Sequence, residues 1–559
     1  MIDPPRYDNP TPGPGLNRSA ARWRLLRPLP RAVTRPLSAI VLVAWGVTMS
    51  ALVNRSCGEP AAANLATDLA RYGSAAQWRG VYYRGEKIGF TVSQAVVEGD
   101  GFELQEEGRL QMSLLGATTA AIIRTRARVD RAFALREFDF SLDPGTGPLE
   151  VRGVVDGSRL RLSISTSGQT RTQDVTVAER PVLMQSVPRR LAAEGLRPGV
   201  TRRWTVFDPA TLRNAPVVVS VGRREVVRAG SAAVPAFRVD MEFGGLRTTS
   251  WFTDTGEVVR EESPMGLMTV RETPRQAMRL AVPYDVQVDL LQASAVVPRM
   301  QGRIDDPRDV RRLRLRVDGA DLSHPDLQGA GQSVAGSIVE LQDPRLLRAS
   351  PADASASRYV APEPFIESDD PEIRREAERA VADAPDARAR AERLVRHVNG
   401  LLEKKPTVSL PSAREVLRTK IGDCNEHTAL YVAMARAAGI PARVAVGLTF
   451  VRGAFYYHAW PEVYLAETAR RGLWLPVDPT LNQFPADGTH LRLARGGLDR
   501  QSAILPLIGR LQIAVLDVEL APGTAAPGVP LLAGELPPLA TVGEERGSCW
   551  SFLFGRRGR

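Results

Sequence analysis

Apolar and polar residues alternate along short segments over the first half of the chain, from Trp78 onward. Examples are RLRLSISTSG, VVVSVGRREVV and AFRVDMEFGG, and such segments are bounded by Gly, Asp, Asn and Ser. A period of two places successive side chains on opposite faces of a strand, and these boundary residues are typical of turns between antiparallel strands. Residues 76–275 are therefore predicted to form a β-rich domain, either a sandwich or a strongly curved sheet. The domain contains no catalytic constellation, and we interpret it as a spacer or a partner-docking module.

The pattern changes to helical spacing after residue 357. Before that point, YDVQVDLL and RLRLRVDG predict strands within a connecting region, residues 276–357. Beyond it, apolar residues recur every three or four positions in PEIRREAERAVADAP and ARARAERLVRHVNGLLEKK, which predicts two helices. Farther on, QIAVLDVEL predicts a strand that pairs with the sheet of this helical domain.

A third helix is predicted over residues 424–438. Asp423 and Glu426 have the spacing of a capping box, in which two side chains satisfy free backbone amides at a helix start. Gly439 and Pro441 are typical of the region just after a helix end. We expect the helix to pack through a stripe formed by Leu430, Ala433, Met434 and Ala437.

The N-terminal region predicts a membrane anchor. Residues 37–53 read LSAIVLVAWGVTMSALV, an uncharged run close to the minimum length for crossing a bilayer. The arginines ahead of this run predict that residues 1–36 lie in the cytoplasm and that the rest of the chain lies outside it. A cleaved signal peptide is the alternative, since a basic segment before an apolar run also directs export.

Composition and charge exclude some classes of function. The 559 residues have ordinary globular composition, with 43% hydrophobic and 24% charged residues. The net charge of +10 raises the possibility of nucleic-acid binding. However, the arginines are spread between acids rather than clustered with aromatics, so we predict no nucleic-acid partner. The three cysteines, Cys57, Cys424 and Cys549, lack the paired spacing of a zinc module.

Three residues predict thiol chemistry when they are taken together. Cys424 opens the predicted helix, where backbone amides and the helix dipole favour a thiolate. His458 lies in the alternating segment FYYHAWPEVYL, a predicted strand, and Asp478 follows the short strand-like segment LWLPV. A carboxylate that accepts one ring N–H of the imidazole would orient it as a base for the thiol. Individually, each residue could instead be structural: a buried thiol, a hydrogen-bonded histidine and a turn aspartate.

The segments GDCNEHTALYVAMARAAGIPAR, YYHAWPEVYL and WLPVDPTLNQ resemble the transglutaminase-like superfamily, the bacterial branch of the papain-like thiol enzymes. The resemblance implies an α+β papain-like core in which a helix bearing the cysteine packs on an antiparallel sheet. It also implies Cys424 as nucleophile, His458 as general base and Asp478 as orienting acid. No metal and no cofactor are expected from it. His427, a rival base by helical spacing, is expected to support the site near the helix start.

Other expectations about the site remain open. The backbone N–H of Cys424 would contribute to an oxyanion hole, together with a second donor that the sequence does not identify. Four further side chains could line the cleft or be structural: Trp460, Glu462, Asn482 and His490.

The leading functional hypothesis is a membrane-anchored cysteine enzyme that hydrolyses or transfers acyl groups of protein or peptide amides outside the cytoplasmic membrane. The alternative is a catalytically idle scaffold or partner-binding envelope protein with the same fold. The predicted organisation is a basic cytoplasmic segment, an anchor, a linker, a β-rich domain, a connecting region, the transglutaminase-like domain and a C-terminal strand and tail. The basic segment spans 1–36, the anchor 37–53, the linker 54–75, the β-rich domain 76–275, the connecting region 276–357, the transglutaminase-like domain 358–500, and the C-terminal strand and tail 501–559.

Overall fold

A computed structural model of the protein describes residues 76–522, apart from gaps at 115–116, 146–147, 167–168, 178, 231, 265, 280–293, 324–326, 406–411, 497–503 and 505–506. The predicted cytoplasmic segment, anchor and linker lie outside these residues, as do Cys57, Cys549 and the strand predicted at YDVQVDLL. Within the described part of the chain, no helix is both long enough and apolar enough to cross a bilayer.

The β-rich region is present and forms one 14-stranded antiparallel sheet rather than a sandwich of two. β1 pairs with both β2 and β14, so the first and last strands of this region are neighbours at the middle of the sheet. Buried and exposed residues alternate along β6 and β7, as the period of two predicted. The strands are β1 (Gln77–Tyr83), β2 (Glu86–Glu98), β3 (Gly101–Leu114), β4 (Ala117–Asp130), β5 (Leu135–Asp143), β6 (Leu149–Asp156), β7 (Arg159–Thr166), β8 (Gln169–Thr176), β9 (Thr201–Asp208), β10 (Arg213–Ala229), β11 (Ala232–Phe243), β12 (Leu246–Phe252), β13 (Val258–Glu262) and β14 (Leu267–Glu272).

Short helices connect or cover parts of this sheet. Helix α1 (Val187–Glu194) follows a 3-10 turn and buries Val187 and Leu191 against the core of β9 to β12. Helix α2 (Pro274–Ala277) follows β14 and begins with a capping box formed by Thr273 and Gln276.

A second, four-stranded sheet corrects the prediction for the C-terminal strand. It has the order β16 (Gln332–Ala335), β17 (Ile338–Gln342), β15 (Val310–Asp318) and β25 (Gln512–Leu520). β25, the predicted QIAVLDVEL strand, therefore pairs with β15 from the connecting region and not with the sheet of the helical domain. Apolar residues of β15 and β17 share a hydrophobic core with Leu448, Phe450 and Phe455, so the connecting region packs against that domain.

The helical domain combines four helices with a five-stranded antiparallel sheet. The helices are α3 (Pro371–Val381), α4 (Ala387–Leu401), α5 (Ala413–Thr419) and α6 (Cys424–Ala437). The sheet has the order β18 (Ser350–Pro351), β23 (Arg471–Pro476), β22 (Ala454–Thr468), β21 (Ala442–Val451) and β24 (Leu491–Gly496). A parallel pair, β19 (Glu403–Lys404) and β20 (Ile421–Gly422), precedes α6.

Helix α6 is buried on all sides, which differs from the single stripe that the sequence predicted. Leu430, Ala433 and Met434 are fully buried as expected, but so are Tyr431 and Val432. The helix lies between α3, α4 and α5 and strands β21 and β22, so every face has a neighbour. This central position fixes the first residue of the helix, Cys424, relative to the sheet.

Candidate active site

The start of α6 is held by the predicted capping box. The backbone N–H of Asp423 donates to Oε2 of Glu426 at 2.9 Å, and Oδ1 of Asp423 accepts from the N–H of Asn425 at 3.0 Å. Gly422 precedes this box, and a Cβ atom at that position would overlap the side chain of Glu426. The first turn of α6 therefore has a single arrangement, which positions Cys424.

Replacing Glu426 with alanine should lower the free energy of unfolding by about 1–2 kcal/mol, because the N–H of Asp423 loses its acceptor in a partly buried location. Glu426→Gln keeps an acceptor at the same place and serves as the matched control. Urea denaturation followed by circular dichroism measures both variants, and equal losses would contradict a capping role.

Cys424 is partly exposed as a residue, and its thiol lies close to the backbone of Ala459, the residue after His458. Burial raises the pKa of the thiol well above its ordinary value, and the negative charge of Asp423 adds to this effect, whereas the Ala459 backbone lowers the pKa. The net direction is opposite to the thiolate that the helix position predicted. In this environment, burial and nearby carboxylates outweigh the helix dipole.

His458 and Asp478 are brought together, as the sequence reasoning required. Nε2 of His458 lies 2.7 Å from Oδ2 of Asp478, and both side chains are buried. Oδ1 of Asp478 accepts the backbone N–H of Leu481 at 2.9 Å, and the backbone of Asp478 pairs with Gln483. Because Nε2 faces the carboxylate, Nδ1 is the ring nitrogen left for another partner.

The ionisation of Asp478 is controlled by its two histidine neighbours. Burial alone would raise the pKa of this carboxyl group, but the charge and hydrogen bonds of His458 and His490 hold it well below its ordinary value. Asp478 is therefore a carboxylate throughout the neutral range.

The sequence indicates His490 only as a side chain that could line the cleft, and it does not predict the contact of His490 with Asp478. Its Nε2 lies 3.1 Å from Oδ2 of Asp478, the oxygen that also contacts His458. Its Nδ1 lies 3.2 Å from Oδ1 and from the backbone oxygen of Asp487. Burial lowers the pKa of His490, but the two carboxylates prevail and raise it to about 10.

Among the described residues, His427 differs from His458 in having no carboxylate as a hydrogen-bond partner. Its Nδ1 donates to the backbone oxygen of Asp423 at 2.6 Å, and its Nε2 is buried without a hydrogen-bond partner in the described part of the chain. Burial lowers the pKa of His427. This arrangement supports the helix start, in line with the expected supporting role.

The other cleft candidates make contacts of different kinds. Trp460 is buried and stacks beside His458, with ring centroids 6.1 Å apart, and it meets the ring of His490 edge-on at 5.0 Å. Glu462 is fully buried between two arginines. Asn482 accepts a hydrogen bond from Arg396 through Oδ1 at 2.8 Å. Of these three, Trp460 contacts the histidines.

The donor atoms of His458, Asp478 and His490 lie within 4.8 Å of one another, close enough to share a metal ion. Hydrogen bonds join Oδ2 of Asp478 to Nε2 of each histidine, and no metal is expected here from the sequence. That expectation remains a prediction.

Residues 374–479 match the family model of the transglutaminase-like superfamily. The chain contains a transglutaminase-like domain. The match includes Cys424, His458 and Asp478, and it confirms the resemblance inferred from the three sequence segments.

Several solved structures are similar to parts of the chain, and no curated protein matches it. A β-barrel-like protein of domain of unknown function DUF1849 from Brucella abortus has 12% identity, covers 36% of this chain and 97% of its own, and has a TM-score of 0.29. A "putative cysteine protease" from Cytophaga hutchinsonii has 17% identity, covers 38% of this chain and 89% of its own, and has a TM-score of 0.26. A "putative protease" from Parabacteroides distasonis has 12% identity, covers 66% of each chain, and has a TM-score of 0.18.

Proposed function

We propose that the transglutaminase-like domain is a cysteine enzyme that transfers or hydrolyses acyl groups of protein or peptide amides through a thioester on Cys424. The hydrogen bond between His458 and Asp478 carries the proposal, because a buried carboxylate that orients an imidazole is the arrangement a general base needs. The thiol that this base would serve lies close to the backbone of Ala459, the residue next to His458.

In the proposed first step, Nδ1 of His458 takes the proton of the Cys424 thiol as the sulfur attacks the amide carbonyl carbon. The carbon–nitrogen bond then breaks, and the imidazolium returns the proton to the departing amine, which leaves a thioester. Water or a second amine attacks the thioester and releases the thiol, giving hydrolysis or a new amide bond.

The environment of the thiol supports a base-dependent mechanism. Because burial and carboxylates raise the pKa of Cys424, the sulfur needs a base when the substrate is bound. As the first residue of α6, Cys424 also has a backbone N–H outside the intrahelical bonds, in a position to contribute to an oxyanion hole.

The location and substrates form part of the proposal. The apolar run at residues 37–53 supports an N-terminal membrane anchor with the enzyme outside the cytoplasmic membrane. Envelope proteins or peptides would then be the substrates, and no nucleic-acid partner is proposed.

Alkylation tests the proposed nucleophile directly. At neutral pH, the raised pKa of Cys424 keeps the thiol protonated unless a base takes its proton, so its alkylation by iodoacetamide should depend on His458. Mass spectrometry of the digested full-length chain measures the rate. Cys57 and Cys549 provide internal comparisons, and His458→Asn should slow the reaction at Cys424 alone. Alkylation of Cys424 that His458→Asn leaves unchanged, with no thioester detected in a peptide-amide library, would contradict the proposal.

A further inference from the structure

The carboxylate of Asp478 is shared between two histidines, whereas a triad requires one. The two ring nitrogens lie 2.7 Å and 3.1 Å from the same oxygen, Oδ2, and the two ring centroids are 5.9 Å apart. An oxygen that accepts from two donors binds each less strongly than it would bind one alone. His490 therefore affects how strongly Asp478 binds His458.

His490 is held in place by contacts on three sides. Asp487 fixes Nδ1 through both its backbone oxygen and Oδ1, and Trp460 packs against the ring edge-on. Asp487 is itself fixed by Thr489 and Gln483, which donate to its two carboxylate oxygens at 2.6 Å and 2.8 Å. The ring of His490 is thus aimed at Asp478 by a buried polar network.

With both Asp478 and Asp487 as carboxylates, each nitrogen of His490 faces an acceptor, so both nitrogens act as donors. This is the hydrogen-bonding pattern of an imidazolium. The raised pKa of His490 has the same cause. A cation therefore lies beside the carboxylate that faces the proposed base.

Other charged or titratable groups also act on this site. The start of α6 contributes Asp423, Cys424, Glu426 and His427, and Lys404 lies within electrostatic range of His427. These groups belong to the start of α6 and to β19, whereas His490 contacts Asp478 directly.

We propose that His490 is a positioning residue that orients the Asp478 carboxylate and, by sharing it, limits how strongly Asp478 stabilises the protonated form of His458. The inference rests on the proposed role of His458 as general base. Its consequence is that His458 releases its proton more readily than it would beside an unshared carboxylate, which suits a base that must return a proton to a leaving amine.

Removing the positive charge of His490 should strengthen the interaction of Asp478 with the His458 imidazolium. His490→Gln retains an N–H donor toward Asp478 but has no charge. The pKa of His458 should then rise by about one to two units, the size of shift that a charge within ~6 Å produces. Asp487→Asn weakens the charge on His490 instead of removing the ring, so it should shift the pKa of His458 in the same direction by a smaller amount.

Nuclear magnetic resonance of ¹³Cε1-histidine in the full-length chain measures these shifts without a substrate. The chain has five histidines, so each signal can be assigned by substitution. A Cys424→Ser background removes the coupled titration of the thiol. His397→Gln is the matched control, because His397 also pairs with a carboxylate, Glu376 at 2.7 Å, on helices outside this network.

The expected result is that His490 remains protonated at pH 8 and that the His458 midpoint moves upward in His490→Gln but not in His397→Gln. A His490 signal that titrates near pH 6.5, or a His458 midpoint that stays unchanged, would overturn the inference even if the protein is destabilised. If His490→Gln does not fold, the titration of His490 in the parent protein and the His458 midpoint in Asp487→Asn test the inference in its place. Alkylation of Cys424 that does not depend on His458 would contradict the proposed function and leave these midpoints readable.

Discussion

Asp478→Asn should lower turnover of a peptide amide by a factor on the order of 10⁴, the loss typical when an amide replaces the orienting carboxylate of a catalytic triad. The carboxylate accepts three hydrogen bonds, two at Oδ2 from the histidines and one at Oδ1 from the N–H of Leu481. An asparagine offers one oxygen and one N–H₂ group. Either the two rings or Leu481 must lose an acceptor in a buried location.

The amide also favours the wrong tautomer of His458. If the N–H₂ group of the asparagine faces the ring, Nε2 must accept and the proton moves to Nδ1. Nδ1 can then no longer accept the thiol proton. The alkylation rate of Cys424 should fall with turnover, because both depend on that acceptor.

Asp343→Asn is a matched control for this substitution. Asp343 is a fully buried carboxylate outside the site, where it pairs with Arg311 and Arg345. The control should lower stability without changing the alkylation rate of Cys424, which separates a general effect of losing a buried charge from a specific one. Full turnover in Asp478→Asn would refute the proposed role of Asp478.

The parts of the fold that local patterns encode could be predicted from the sequence. The capping box of Asp423 and Glu426 and the strand carrying His458 depend on spacings of a few residues, and the structure contains both. The partner of β25 was assigned to the wrong sheet, because strand pairing joins residues about two hundred positions apart and leaves no local signal.

Two features of the site depend on tertiary contacts and could not be predicted. His490 stands three residues after Asp487, a spacing that hints at a local hydrogen bond, but its contact with Asp478 needs the loop between β23 and β24 to fold back. The raised pKa of Cys424 likewise follows chiefly from burial, which the helix position does not reveal.

Behind the histidines, a buried ion cluster joins three strands of the five-stranded sheet. Glu462 in β22 accepts from Nε of Arg443 in β21 at 2.8 Å and from Nη1 of Arg492 in β24 at 2.6 Å. All three side chains are buried, and the guanidinium of Arg443 also lies 3.7 Å from the ring centroid of Trp474. The cluster links the strand that carries His458 to the strand that follows His490.

Glu462→Ala should lower the free energy of unfolding by about 3–5 kcal/mol, because it leaves two buried guanidinium groups without their counter-charge. Burial would raise the pKa of Glu462, but Arg492 and Arg443 prevail and lower it to about 2. A lowered folded-state pKa means that the contribution of this carboxylate is complete above the unfolded value near 4.5 and is lost as the pH falls toward 2.

Urea denaturation between pH 7 and pH 2.5 measures both effects. The difference between the parent protein and Glu462→Ala should be largest at pH 7 and should shrink as the pH falls below about 4.5, where the unfolded chain binds a proton that the folded chain does not. Glu467→Ala, an exposed glutamate on the same strand, is the control and should change stability by less than about 0.5 kcal/mol. A Glu462→Ala protein as stable as this control would mean that the two arginines are solvated or paired elsewhere, and that the ion cluster does not hold the three strands together.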